Sequence, residues 1–168
     1  PTTLLLSLIG AETFPVKSLD SFFEGNQLTK FLNTLQESGM IHVSPLSSKE
    51  GNAQVISLHR SSQALMRLYF KNTLNQKSKE ALLNQMVDNL LGYFNKYISG
   101  ADYDCQKIKG LLPHLITLSH NLQNEKSMGV KPLAKVGLMI FKTHRNCTRN
   151  FKEGLFYGKQ LIESHMEH

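Results

Sequence analysis

Apolar residues along the chain repeat with two different periods, and the change from one to the other divides the sequence. The opening run Leu4-Leu5-Leu6-Ser7-Leu8-Ile9 predicts a short apolar helix over 3–10 that ends near Gly10, with Pro15 blocking its continuation. A brief helical segment over 17–23 and a turn at Gly25-Asn26 follow. Leu28, Phe31, Leu32 and Leu35 then recur at three- and four-residue spacing, which marks a helix with one buried stripe. Gly39 ends that helix, and Met40-Ile41-His42-Val43 turns into a strand. The Ser- and Gly-rich stretch 45–52 reads as a hairpin loop, and 54–58 as the returning strand. A regular helix over 61–75 comes next, with Leu65, Leu68 and Tyr69 on one face, widened by Ala64 and Met66.

Beyond Ser78 the strand signal disappears. Leu82, Met86, Leu90 and Phe94 form an i, i+4 stripe with Val87, Leu91 and Ile98 beside it, and Gly100-Ala101-Asp102 breaks it. Ile108, Leu111, Leu112, Leu115, Ile116, Leu118 and Leu122 mark a second helix, in which Pro113 must lie near a start or a kink. Leu133, Val136, Gly137 and Ile140 mark a third, and a polar turn over 143–150 leads to a fourth carrying Phe151, Leu155, Leu161 and Ile162. Gly137 and Gly158 interrupt helical patterns at a cost of about 1 kcal/mol each relative to Ala, which close approach of two helix backbones would offset. The expected fold is mainly α. A winged-helix-like module with a two-strand β-wing occupies 1–75, and antiparallel α-hairpins that stack as helical repeats do occupy 76–168.

Composition narrows the class. With 168 residues, 40% hydrophobic and 19% charged, the chain has a soluble globular make-up and no run long enough for a membrane span. Cys105 and Cys147 are too few for a disulfide scaffold and suit a reducing, cytoplasmic setting. Without an initiator Met, the chain reads as a piece of something longer. Its wealth of Asn, Lys, Ser and Leu points to an AT-rich bacterial source.

The net charge of +6 is uneven. Residues 1–60 carry four Lys/Arg against five Asp/Glu, so the excess lies behind them. It concentrates in Lys126, Lys131, Lys135, Lys142, Arg145, Arg149, Lys152 and Lys159, with Glu153 the sole acid between Lys126 and Lys159. Such a run is either a solvated helical face or a docking surface. In the second case Lys135, Lys142, Arg145, Arg149, Lys152 and Lys159 are the candidate protein-binding residues.

Catalytic patterns are missing from the sequence. No Gly-x-x-x-x-Gly-Lys-Ser/Thr loop is present, and Ser48-Lys49-Glu50-Gly51 sets a carboxylate where phosphate needs backbone donors. Ser119 and His120 point apart on a helix, and His144 with Cys147 lacks a third orienting group. His114, His120, Cys105 and His165 have no metal-ligand spacing. The expectation is a non-enzymatic chain with no cofactor or metal of its own.

Three segments of the front half resemble the winged-helix region of NB-ARC/STAND-type signalling ATPases, in the branch whose ATPase is followed by tetratricopeptide (TPR) repeats. They are the opening helix with Phe14-Pro15-Val16, the stretch 28–41, and Ile56-Ser57-Leu58-His59-Arg60-Ser61-Ser62-Gln63-Ala64-Leu65-Met66-Arg67. The last is similar to the family's strand, His-Arg-Leu-Val-Gln and helix signature, with Ser61-Ser62 replacing an apolar pair. Leu133, Val136, Gly137, Ile140 and Phe151-Lys152-Glu153-Gly154 resemble a TPR with a lengthened turn, and Leu112-Pro113-His114 a phrase that precedes the repeats. The resemblance implies that His59 meets the β-phosphate of ADP held by an upstream nucleotide-binding domain; Arg60 next to it is either a second anion contact or a solvated partner to an acid. ADP and ATP would then be cofactors of the parent protein only, and the repeats would bind a protein partner.

Two other readings remain. One is a free-standing helical adaptor or effector-like module that docks through the basic back half. The other is a winged-helix DNA-binding protein using Gln63, Arg67, Lys71 and Asn72, although a front half with more acids than bases is poorly charged for nucleic acid.

Overall fold

The computed structural model describes residues 2–9, 13–45, 54–98, 104–124 and 130–166. The expected hairpin loop at 46–52, the break at Gly100-Ala101-Asp102, Gly10 and Lys126 lie outside the described residues, as do the side chains of Leu161, Ile162 and His165. The protein is mainly helical with one small antiparallel sheet.

Helix α1 (Thr2–Leu8) is buried on every side: Leu5 and Leu6 have no exposure, and Leu4, Leu8 and Ile9 almost none. Strand β1 (Phe14–Pro15) and a 3-10 turn over Val16–Phe22 follow it. The 3-10 turn stands where the sequence predicts a helical segment. Helix α2 (Gln27–Glu37) buries Leu32 and Leu35 and leads through Gly39, at φ 68°, into the hairpin of β2 (Ile41–Pro45) and β3 (Gln54–Leu58). Gly39 is suited to that left-handed turn because it has no Cβ.

Among the described residues the sheet has three strands, where the sequence predicts two. β3 is central, pairing with β2 from Ile41↔Leu58 to Pro45↔Gln54 and with β1 at Phe14↔Ile56 and Pro15↔Val55. Pro15 is tolerated because β1 is an edge strand.

Helix α3 (Arg60–Thr73) starts directly after β3, and α4 (Gln76–Ile98) follows it within three residues. The predicted stripe of α4 is buried at Met86, Leu90 and Phe94, joined by Leu83, Val87, Tyr93 and Ile98. α4 packs against α1, the 3-10 turn and α7, so one hydrophobic core runs from Leu4 to Tyr157. The short α5 (Cys105–Lys109) and α6 (Leu112–Asn124) divide the single helix predicted over this region, and Pro113 sits in the first turn of α6, where its missing N–H is harmless. Helix α7 (Val130–Thr143) runs on as a π-helical turn over His144–Thr148, which Arg149 ends at φ 55° before α8 (Phe151–Met166). Among the described residues no helix is long and apolar enough to cross a membrane.

Candidate functional site

The orientation of α3 decides what the front half presents to its surroundings, and hydrogen-bonding demand at the end of α1 sets that orientation. A buried helix terminus leaves carbonyls without partners, and each must be satisfied by a side chain if water is excluded. Gln63 Nε2 donates to the carbonyls of Leu6 at 3.2 Å and Ile9 at 2.9 Å. Arg67 Nε donates to Ser7 O at 2.5 Å, and Asn121 Nδ2 from α6 donates to Leu8 O at 2.6 Å. Four successive carbonyls are thereby closed by three side chains from two helices.

With Gln63, Met66 and Arg67 turned toward α1, the apolar row of α3 has to face outward. Leu65, Leu68 and Tyr69 are 64%, 55% and 62% exposed. At the start of the helix stand His59 and Arg60. His59 is the residue before the first turn, in extended conformation, and its side chain makes no capping bond. Both side chains are exposed, and among the described residues neither forms a side-chain hydrogen bond or ion pair. The His59 ring borders a shallow hollow with His42, Ser57 and Leu58. An imidazole donor beside the positive end of a 14-residue helix is an arrangement that favours an anion.

The basic residues of the back half do not form one surface. Lys135 is half-buried and paired with Asp88 of α4, so it belongs to the packing of α7 on α4. Lys142 is also half-buried, whereas Arg145, Arg149, Lys152 and Lys159 are exposed around the α7–α8 turn. There α8 approaches α7 through two glycines. A Cβ on Gly154 would lie 3.2 Å from the His144 Cβ, and one on Gly158 would lie 3.4 Å from the Phe141 ring. The close approach inferred from the sequence at Gly137 and Gly158 is seen at Gly158 only against the Phe141 ring, whereas the α7 backbone comes near at Gly154, where a Cβ would lie 3.8 Å from the Phe141 carbonyl oxygen. Beside this contact Phe151, Leu155 and Phe156 are exposed at 61%, 66% and 54%.

His144 is buried in the same region. Its ring stacks on Tyr157 with centroids 6.3 Å apart, Nδ1 lies 3.0 Å from Thr148 Oγ1, and Nε2 lies 3.4 Å from Glu153 Oε2. Burial, reinforced by the Glu153 charge, pushes the Tyr157 hydroxyl above its ordinary pKa. These contacts pack the ring between the π-helical turn and α8. Cys147, three residues on, is bonded to Cys105 with the Cα atoms 5.2 Å apart, tying α5 to the π-helical turn. The sequence reading of two thiols in a reducing setting differs here, because the fold brings together residues 42 apart that carry no local pairing signal.

His114 is buried, with Nε2 2.9 Å from Thr13 O and its ring edge-on to Phe14, so it anchors α6 to β1. Ser119 is buried while His120 is exposed, and the two diverge. Among the described residues no three His, Cys, Asp or Glu side chains gather as metal ligands would. Comparison with protein-family models, with curated proteins and with solved structures gives no match for this chain.

Proposed function

We propose that the chain is a non-catalytic relay segment of a STAND-type ATPase, coupling the nucleotide state of an upstream domain to a helical region that binds protein. One observation carries the reading: an exposed His59 stands between the β2–β3 pair and the first turn of α3, and the same helix carries a bare row, Leu65, Leu68 and Tyr69, farther along. The order of helix, short strand, 3-10 turn, helix, hairpin and helix is consistent with a winged-helix module. The succession α4 to α8 is consistent with stacked α-hairpins. In this reading the apolar row lies on the nucleotide-binding domain and the His59 ring donates to the β-phosphate of ADP, with Arg60 beside it. Exchange for ATP displaces that contact and shifts the module between two positions. The chain itself holds no nucleotide in this reading.

The inward orientation of Gln63 and Arg67 counts against the DNA-reading alternative. Two of the four side chains that would reach base edges are occupied by the carbonyls of α1.

The test uses the complete reading frame that contains this chain. It must encode a phosphate-loop domain ahead of Thr2. Purified full-length protein should retain ADP, and His59→Ala should speed its release by roughly ten- to a hundredfold, the loss of one hydrogen bond to a charged group. A reading frame without that domain, or ADP release unchanged by His59→Ala, would overturn the relay.

A further inference from the structure

The exposed end of the α7–α8 hairpin combines two properties that the relay reading does not use, an apolar hollow and a positive rim. Phe141, Arg145, Phe151, Gly154 and Leu155 line a hollow of about 230 Å³. That is below the usual size of a small-molecule pocket and suits one large apolar side chain. Gly154 contributes no side chain to fill it, so the hollow persists where α8 crosses Phe141. Along α8, residues 151, 155 and 159 lie on one line and 152 and 156 on the next, which interleaves Phe151, Leu155 and Phe156 with Lys152 and Lys159. Arg145 forms part of the wall, and Arg149 stands just before the helix. The only acid inside this stretch, Glu153, sits 3.4 Å from the buried His144 ring.

We propose that this surface docks an acidic amphipathic helix of a partner protein, seating one leucine or aromatic anchor in the hollow and setting carboxylates against Arg145, Lys152 and Lys159. Charge complementarity selects this occupant. A second copy of the chain would bring the same cations face to face, which disfavours a symmetric contact. The run Phe151 to Lys159 spans roughly 12 Å of helix axis, enough for about two turns of the partner. The inference holds for this chain whether or not a nucleotide-binding domain precedes it, because it uses no residue of α3.

The test is fluorescence anisotropy on the complete chain with three labelled 14-residue helical peptides. The first carries Leu at i, i+4 and i+7 and Glu on the flanks. The second replaces every Glu by Lys, and the third replaces every Leu by Ser. The first should bind saturably, and the other two should bind at least about tenfold more weakly. Phe151→Ser with Leu155→Ser, and separately Arg145→Glu with Lys152→Glu, should each weaken the first peptide about tenfold. Leu65→Ser on α3 should leave it unchanged, which separates a failure here from a failure of the relay.

All these substitutions lie at the surface, and the peptide comparison on the unaltered chain stands even if a variant does not fold. The proposal is overturned if acidic and basic peptides bind alike, if the acidic peptide does not bind up to about 1 mM, or if the α8 variants bind normally. It is overturned equally if a single-stranded oligonucleotide competes the peptide off more strongly than the peptide binds. A dimer that Phe151→Ser dissolves has the same force.

Discussion

Replacing Gln63 by Met tests the physical basis of the front half. Met keeps the length and burial of the side chain and removes its amide donor, which closes the carbonyls of Leu6 and Ile9. Both residues are essentially without solvent exposure, so no water replaces the lost bonds. A buried carbonyl stranded in this way costs about 1–3 kcal/mol. Two stranded carbonyls, less the modest gain from burying a thioether in place of an amide, give an expected loss of about 2–4 kcal/mol. Against a domain stability of about 5–15 kcal/mol this is a large fraction.

Urea denaturation followed by circular dichroism should show the midpoint falling with an unchanged slope, and thermal melting should drop by roughly 6–12 °C for a chain of this size. Leu65→Ser supplies the internal control. It removes a large apolar side chain from the same helix, two residues away, yet should change stability by no more than about 0.5 kcal/mol because Leu65 is exposed. If Gln63→Met matches the unaltered protein, or if Leu65→Ser is the more damaging change, then α3 does not pack as described and its apolar row is core after all.

Two further outcomes follow from the rest of the molecule. Reducing the Cys105–Cys147 bond frees a loop of 42 residues and should lower stability by about 4 kcal/mol on chain-entropy grounds, read as a dithiothreitol-dependent fall in the urea midpoint that Cys105→Ser reproduces. Equal midpoints with and without reductant would mean that the bond does not constrain the unfolded chain. Burial, with smaller contributions from Tyr97, Asp20 and Asp104, pushes the Tyr93 hydroxyl up to about 12. The folded protein then holds this proton more tightly than the unfolded chain does. Tyr93 therefore contributes fully below pH 10, and the contribution is lost as pH rises toward 12, by less than the roughly 2.7 kcal/mol that two pH units represent, because solvent screens the partly exposed hydroxyl. Tyr93→Phe should flatten the stability profile in that window, and an equally steep profile in the variant would refute the assignment.

What the sequence reveals and what it hides differ in physical kind. Periodic burial is legible: the stripes of α2 and α4 follow from spacing alone, and the hairpin follows from Gly39 and the shift to a strand-like run. β1 is not legible, because two residues ending in proline make no pattern and pair only once β3 is in place. The Cys105–Cys147 bond and the Lys135–Asp88 pair are hidden because both join residues more than forty positions apart. His59 and the basic residues near the α7–α8 turn were visible as residue types, whereas the exposure of the apolar rows on α3 and α8 was not.

The facing of α3 is the most instructive case, since its pattern points the wrong way. A helix offered Leu65, Leu68 and Tyr69 on one side and Gln63 and Arg67 on the other should bury the first set by hydrophobicity, at roughly 1.5–3 kcal/mol per side chain. It buries Gln63 instead and ties Arg67 to the backbone, because α1 ends inside the core and the carbonyls of Leu6, Ser7 and Ile9 take their donors from these two side chains. Polar satisfaction outweighs apolar burial there, and the helix is left with its most hydrophobic row in solvent. Such a conflict between local pattern and packing is expected where a surface serves something outside the chain. A second body placed over that row would recover the burial that α1 made impossible from within.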